Sequence, residues 1–204
     1  MLDAGQHLDA LPHAANLANP APVADSDRYR LVVGDICDAG LADRLMAEHD
    51  QVVHFAAESH VDRSLASATE FVRSNVLGTQ TLLDAALRNG VGRYVHISTD
   101  EVYGSIAACS CSEEQPLHPN SPYAASKASS DLIALAYHRS HGLDVRVTRC
   151  SNNYGHHQFP EKIIPLFVTR LLAGKKVPLY GDGLNVRDWL HVDDHIRAVE
   201  LVRT

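Results

Sequence analysis

No stretch of this 204-residue chain is apolar for long enough to cross a bilayer as a helix. The opening residues, MLDAGQHLDALPHAA, lack a basic segment followed by an apolar core, so they do not read as a secretory leader. Positive charge is short as well: 18 Lys and Arg stand against 25 Asp and Glu, a net charge of −7 with a pI near 6.0. The basic residues are scattered rather than striped, which argues against a nucleic-acid-binding surface. Cysteine is sparse, and Cys37, Cys109, Cys111 and Cys150 follow no disulfide or zinc-ribbon spacing. Cys109 and Cys111 are close enough to share a metal but lack a second pair. His191 and His195 have one-turn helical spacing but no third ligand, so no metal site is expected. Repeats and low-complexity linkers are absent. With 45% apolar residues the chain can bury a sizeable core, and a cytoplasmic enzyme or binding protein is the expectation.

What is present is an alternation of short β-like runs with longer amphipathic ones. RYRLVVGD (28–35) reads as a strand, and Asp38 then caps a helix through LADRLMAEHD. QVVHFAA (51–57) is a second strand, bounded by the polar ESHVDRS. A long helix is predicted over 68–88, stopped by Asn89-Gly90, followed by the strand RYVHIS. A helix over 122–141 ends at Gly142, DVRVTRC (144–150) is a strand, and SNNYGHHQFP is a loop. EKIIPLFVTRLLAG reads as a helix interrupted near Pro165. Strands separated by helices imply βαβ crossovers: an α/β fold, doubly wound, with a mostly parallel sheet. In such sheets ligands bind beyond the carboxyl ends of the strands. GDICD, AAESHVDRS, STDEVYG and CSNNYG each follow a predicted strand, so they are expected on one rim.

STDEVYG runs a strand into a hydroxyl and two adjacent carboxylates. Read alone, Asp100 and Glu101 fit a solvated turn; read on a ligand rim, they fit proton chemistry. Downstream, YAASK places Tyr123 and Lys127 four apart on one helix face. A lysine ammonium beside a phenol would lower its pKa and make it a usable base near neutrality. Y-x-x-x-K alone is a weak signal. Behind a parallel sheet and Thr99 it forms the constellation of short-chain dehydrogenases and reductases.

GDICD, AAESHVDRS, NVLGT, HISTDEVYG, NSPYAASKASSD, CSNNYG, FPEKIIP, PLYGDG and RDWLHVDDH together resemble the dTDP-glucose 4,6-dehydratases, in the extended branch of that superfamily. The resemblance covers the chain from about Asp9 onward. It implies NAD as cofactor, dTDP-glucose as substrate, and a 4-keto-6-deoxy sugar as product. Catalytic roles would fall to Thr99, Asp100, Glu101, Tyr123 and Lys127. Tyr123 would take the sugar O4 proton, Glu101 the C5 proton, and Asp100 would protonate the departing C6 hydroxyl. The resemblance also assigns cofactor contacts to Asp9, Asp35, Ile36, Ala56, Ala57, Ser59, Ser74, Tyr123, Lys127 and Asn153, with a similar case for Asn75. It assigns substrate contacts to Thr99, Asn152, Lys162, Ile163, Tyr180 and Arg187. Residues 1–150 would form the NAD-binding unit and 151–204 the start of the nucleotide-sugar region. Pairing through the helices near 68–88 and 122–141 would give a homodimer.

The family opens with a strand and a GxxGxxG turn that cradles the cofactor pyrophosphate at a helix N-terminus. Here Gly5 stands alone, and Gly181 and Gly183 lie far downstream. The expectation is a sheet incomplete at both ends, without the first βα unit or most of the substrate region. Pro12, His13, Ala14, Ala15 and His156 also depart from the family pattern. Two alternatives follow: another nucleotide-sugar dehydratase, epimerase or decarboxylase, and a non-catalytic truncated copy.

Overall fold

A computed structural model describes residues 5–12, 15–106 and 110–204, so Cys109 lies outside the described residues. Strand β1 (Gly5–Asp9) pairs in parallel with β2 (Tyr29–Val33), Gly5 opposite Tyr29 and Asp9 opposite Val33. A second parallel sheet has the order β3 (Gln51–His54), β4 (Arg93–Thr99), β5 (Val145–Cys150). A short third sheet pairs β6 (Asn152–Tyr154) with β7 (Trp189–His191), also in parallel. The alternation of strands and helices therefore gives the parallel α/β architecture expected of it.

Local chemistry sets the helix ends. The Asp38 carboxylate accepts from the Leu41 amide and starts α1 (Ala39–Met46). Helix α2 (Val61–Ala66) lies in the polar ESHVDRS segment, where no helix is expected from the sequence. The long helix is built as α3 (Thr69–Phe71), a π-helical segment (Val72–Gly78) and α4 (Thr79–Arg88). Gly78 lets this segment lie against β2's following loop: a Cβ there would sit 2.5 Å from Ile36 Cδ1. Helix α5 (Pro122–His141) has Ser121 as cap, its hydroxyl accepting from the Ala124 amide at 3.1 Å, and Pro122 in the first turn. It ends where predicted, at left-handed Gly142.

Pro165 does not interrupt α6 (Ile163–Leu172). It is the third residue of the helix, where the amide it lacks would have had no intrahelical partner. The predicted loop after β5 likewise contains β6, which exists only because β7, 37 residues downstream by register (Asn152 to Trp189), pairs with it. Helix α7 (Val192–Arg203) completes the described chain. Among the described residues no helix is long and apolar enough to cross a membrane.

The central strand β4 is buried along nearly its whole length, with the polar His96, Ser98 and Thr99 buried alongside its apolar residues. One face of the second sheet is covered by α1, α4 and α5, with Met46, Leu82, Leu83, Tyr94, Ala134 and Val145 in one core. Fully burying a leucine such as Leu83 stabilises by roughly 2–3 kcal/mol. On the other face Val199 of α7 packs against Val95 and Ile97. Between β1 and β3, which belong to different sheets, lies a cavity of about 490 Å³.

Candidate active site

Strand β4 delivers Thr99 at its carboxyl end, and the chain turns at once into a tight 3-10 turn, Asp100–Tyr103. Thr99 caps that turn, its hydroxyl oxygen accepting from the Glu101 amide at 3.2 Å. Gly104 closes it with φ near 77°, where a Cβ would meet the His118 carbonyl oxygen at 2.1 Å. The doublet thus leaves the sheet instead of lying within it, so two adjacent acids need not share a strand.

A cavity of about 500 Å³ opens beside this turn. It is lined by Thr99, Glu101, Tyr123, Lys127, Asn152, Asn153, Ser59, Lys162 and Ile163, so nine expected residues from five separate segments come to one place. Asp9, Asp35, Ile36, Ala56 and Ser74 line the cavity between β1 and β3 instead. Phe55 and Ala57 line both, so the two cavities adjoin along the carboxyl rim. Asp100 is half-buried beside the second cavity, with the Thr99 hydroxyl donating to its carboxylate at 3.2 Å.

Besides Asp100, the candidates Tyr180 and Arg187 are not brought to a cavity wall. Tyr180 is 71% exposed, its hydroxyl donating to Asp62 at 3.2 Å. Arg187 is exposed and donates to the Val186 carbonyl, although its charge reaches Glu101. Asp35 is held by the Cys37 amide at 2.8 Å and by Arg73 at 2.6 Å, which keep its carboxyl below the usual range. Asp9 accepts from the Leu11 amide at 2.7 Å.

The electrostatics correct one expectation. Burial raises both Asp100 and Glu101; the Asp100 charge raises Glu101 further, while Arg187 and Lys162 oppose this. Burial, then the charge of Glu101, also pushes the Tyr123 phenol well above its ordinary value. The Lys127 ammonium does not activate it here: Nζ donates to the Ile97 carbonyl at 2.7 Å, and burial lowers the lysine from 10.5 to about 8. Spacing on a helix face brought the two side chains to one cavity, but where the ammonium points is decided by the nearest buried acceptor.

Asn75 is the clearest residue that periodicity undervalues. It is buried in the π-helical segment, accepts from the Glu58 amide at 2.8 Å, and donates to the Glu58 carbonyl and the Ser126 hydroxyl at 2.9 and 2.8 Å. It therefore ties the loop after β3 to the first turns of α5. Apart from the resemblance, an amide in the middle of a helix was its sequence signal. Phe55, Cys150, Gln158 and His195 line the second cavity without having been singled out as site residues. His191 caps α7 and His195 packs edge-on against Phe55, so they do not converge on a shared ligand. Among the described residues no three His, Cys, Asp or Glu side chains cluster as metal ligands.

A parallel sheet with a Thr, Tyr and Lys on its carboxyl rim is the layout of the short-chain dehydrogenase/reductase class. Within that class the chain belongs to the GDP-mannose 4,6 dehydratase family, which matches residues 5–204. A dTDP-glucose 4,6-dehydratase of Streptomyces antibioticus is 72% identical over 197 residues, 97% of this chain and 58% of that protein. The crystal structure of DesIV, a dTDP-glucose 4,6-dehydratase from Streptomyces venezuelae with NAD and TYD bound, matches with a TM-score of 0.95 at 63% identity, over 97% of this chain and 61% of that one. A UDP-glucuronic acid 4-epimerase from Bacillus cereus, in complex with UDP-glucuronic acid and NAD, matches at 0.91 with 27% identity, over 98% and 65% of the two chains. The chain thus spans about three fifths of the length of these two dehydratase relatives.

Proposed function

We propose that this chain carries the catalytic groups of an NAD-dependent dTDP-glucose 4,6-dehydratase. The observation that carries the reading is the acid pair Asp100–Glu101, held on a 3-10 turn beside Tyr123 at one cavity. The 72% identity to a protein of that name supports it over the epimerase likeness at 27%.

The residues fit a dinucleotide in part. The adjoining cavities run from Asp9 and Asp35, past the small Ala56 and Ala57, to Tyr123 and Lys127. Those residues, with Ile36, Ser59, Ser74 and Asn153, would hold its adenosine and nicotinamide ends. Among the described residues no glycine-rich turn follows β1, so the pyrophosphate cradle is not among them. When bound, NAD would accept hydride from the sugar C4 and return it at C6.

Thr99 would hydrogen-bond the substrate O4, and Tyr123 would receive its proton. Burial and the Glu101 charge raise the phenol, and Lys127 Nζ is engaged by the Ile97 carbonyl, so the base form of Tyr123 would need positive charge brought to the cavity with the bound cofactor. Glu101 would remove the C5 proton, with Lys162 and Arg187 favouring its carboxylate. Asp100, raised by burial, would give its proton to the C6 hydroxyl as it leaves. Asn152 would contact the substrate, and Lys162, Ile163, Tyr180 and Arg187 would face its nucleotide-diphosphate side, with residues 1–150 forming the cofactor unit and 151–204 the start of the sugar-nucleotide unit. A homodimer through the 69–88 helix and α5 is part of the same reading, supported by the exposed Val72, Leu77 and Leu132.

The test is an assay of the chain with dTDP-glucose and NAD for the alkali-absorbing 4-keto-6-deoxy product. Turnover that falls at least about 100-fold in Glu101→Gln supports the assignment. An undiminished Glu101→Gln would refute it, and absence of turnover in the parent would refute activity for the isolated chain.

A further inference from the structure

Helix α5 carries a carboxylate the proposed reaction does not use. Asp131 lies one helical turn beyond Lys127 and is fully buried. Its carboxylate receives the Arg149 Nε at 2.9 Å and faces His96 Nε2 at 3.4 Å. Burial opposes its charge, but hydrogen bonds from His96 and Arg149 outweigh that and hold the carboxyl below its usual range. A buried ion pair of this kind is weak evidence for stability, since desolvation offsets much of the attraction. Its geometry asks for another role.

Arg149 reaches in two directions. While Nε meets Asp131, Nη1 donates to the Tyr103 hydroxyl at 2.7 Å and to the Glu113 carbonyl at 3.3 Å, and the guanidinium lies 5.1 Å from the centroid of the Tyr103 ring. Tyr103 is the last residue of the turn that carries Asp100 and Glu101. The planar guanidinium can hold both partners at once because its donors form a rigid fork. A relay of three side chains therefore joins the helix of Tyr123 and Lys127 to the turn of the acid pair.

We propose that Asp131, Arg149 and Tyr103 form a positioning relay that locks the acid-pair turn in register with the Tyr123–Lys127 helix. This rests on the proposed function for what the two halves do, but the relay itself is independent of turnover. Two groups acting in sequence on neighbouring sugar carbons need their spacing held to well under 1 Å. The turn's own bonds, Glu101 amide to Thr99 hydroxyl and Gly104 amide to Glu101 carbonyl, set its shape; Val102 and Tyr103 pack on Ala128 of α5, a non-directional contact, and the relay adds the directional bonds between the two.

The experiment is amide hydrogen exchange on the folded chain, without ligand, in Asp131→Asn, Arg149→Lys and Tyr103→Phe. Exchange at 101–104 is expected to rise about five-fold or more in each, roughly the loss of one hydrogen bond, with exchange in β1 and β2 unchanged. Tyr103→Phe is the decisive variant. It removes the Arg149–Tyr103 bond together with the hydroxyl's weaker 3.3 Å bond to the Glu113 carbonyl, leaves the Asp131–Arg149 pair intact, and keeps the ring. Arg149→Lys keeps the positive charge but cannot fork, so it should fail to restore protection. Unchanged protection at 101–104 in Tyr103→Phe, or full protection in Arg149→Lys, would overturn the relay. So would a uniform rise across all strands, which marks a purely structural ion pair. Because no reading depends on product, an inactive parent would count against the proposed function alone.

Discussion

Replacing Lys127 with Met should make this chain more stable at neutral pH and remove a pH dependence that the parent shows in alkali. Lys127 is 4% exposed, and its ordinary pKa of 10.5 is lowered to about 8, with burial as the first cause. Keeping the ammonium charged in the folded state at pH 7 therefore costs about 3 kcal/mol relative to the unfolded chain. Met has a similar length, is apolar and adapts to irregular packing, so it removes that cost. It also leaves the Ile97 carbonyl without its donor, a loss of about 1 kcal/mol. The expected net gain at pH 7 is about 2 kcal/mol. The sign with pH follows from proton counting: between about 8 and 10.5 the unfolded lysine keeps its proton while the folded one releases it. Parent stability therefore gains a rising contribution across that window, and the Met variant does not. Urea unfolding of both proteins at pH 7, 8, 9 and 10 tests this, because the difference cancels the raised Tyr and Cys groups common to both. The advantage of Lys127→Met should shrink steadily and reverse by about pH 10.5, to roughly −1 kcal/mol. A difference that stays constant with pH would show that the ammonium is not desolvated as the structure has it.

The turn beneath the acid pair should be intolerant of a side chain. Gly104→Ala places a Cβ 2.1 Å from a backbone oxygen at φ near 77°, so a loss of more than about 1 kcal/mol in chemical unfolding is expected, with activity falling further than stability. The start of α5 is set by one hydroxyl, and Ser121→Ala should cost about 1 kcal/mol, read as a lower thermal midpoint.

Much of the fold was legible because the relevant physics is local. Asp38 and Gly142 mark helix ends through a bond to a nearby amide or a local backbone angle, so α1 begins and α5 ends as expected, although α1 stops at Met46, short of the expected end at Asp50. The apolar run of β4 could be recognised as a strand covered on both faces. Helix α2, strand β6 and the uninterrupted α6 were not legible. A six-residue helix has no periodicity to read, β6 depends on a partner strand far along the chain, and Pro165 is tolerated only because of where that helix begins.

The same division runs through the site. The sequence alone determined the chemistry available: a hydroxyl, two acids, a phenol and an amine, each placed near a strand end or on a helix face by periodicity. It also established the resemblance that gathers Thr99, Glu101, Tyr123, Lys127, Asn152 and Lys162 into one expectation. Only the tertiary structure decided how those groups are charged and aimed. Lys127 turns to the Ile97 carbonyl, the Tyr123 phenol is raised instead of lowered, and Asn75 becomes a clamp between the loop after β3 and α5. Charge and direction at a buried site depend on which dipoles and carboxylates lie within a few ångströms. Those neighbours come from β3, β4, α5 and the acid-pair turn, segments that only folding brings together.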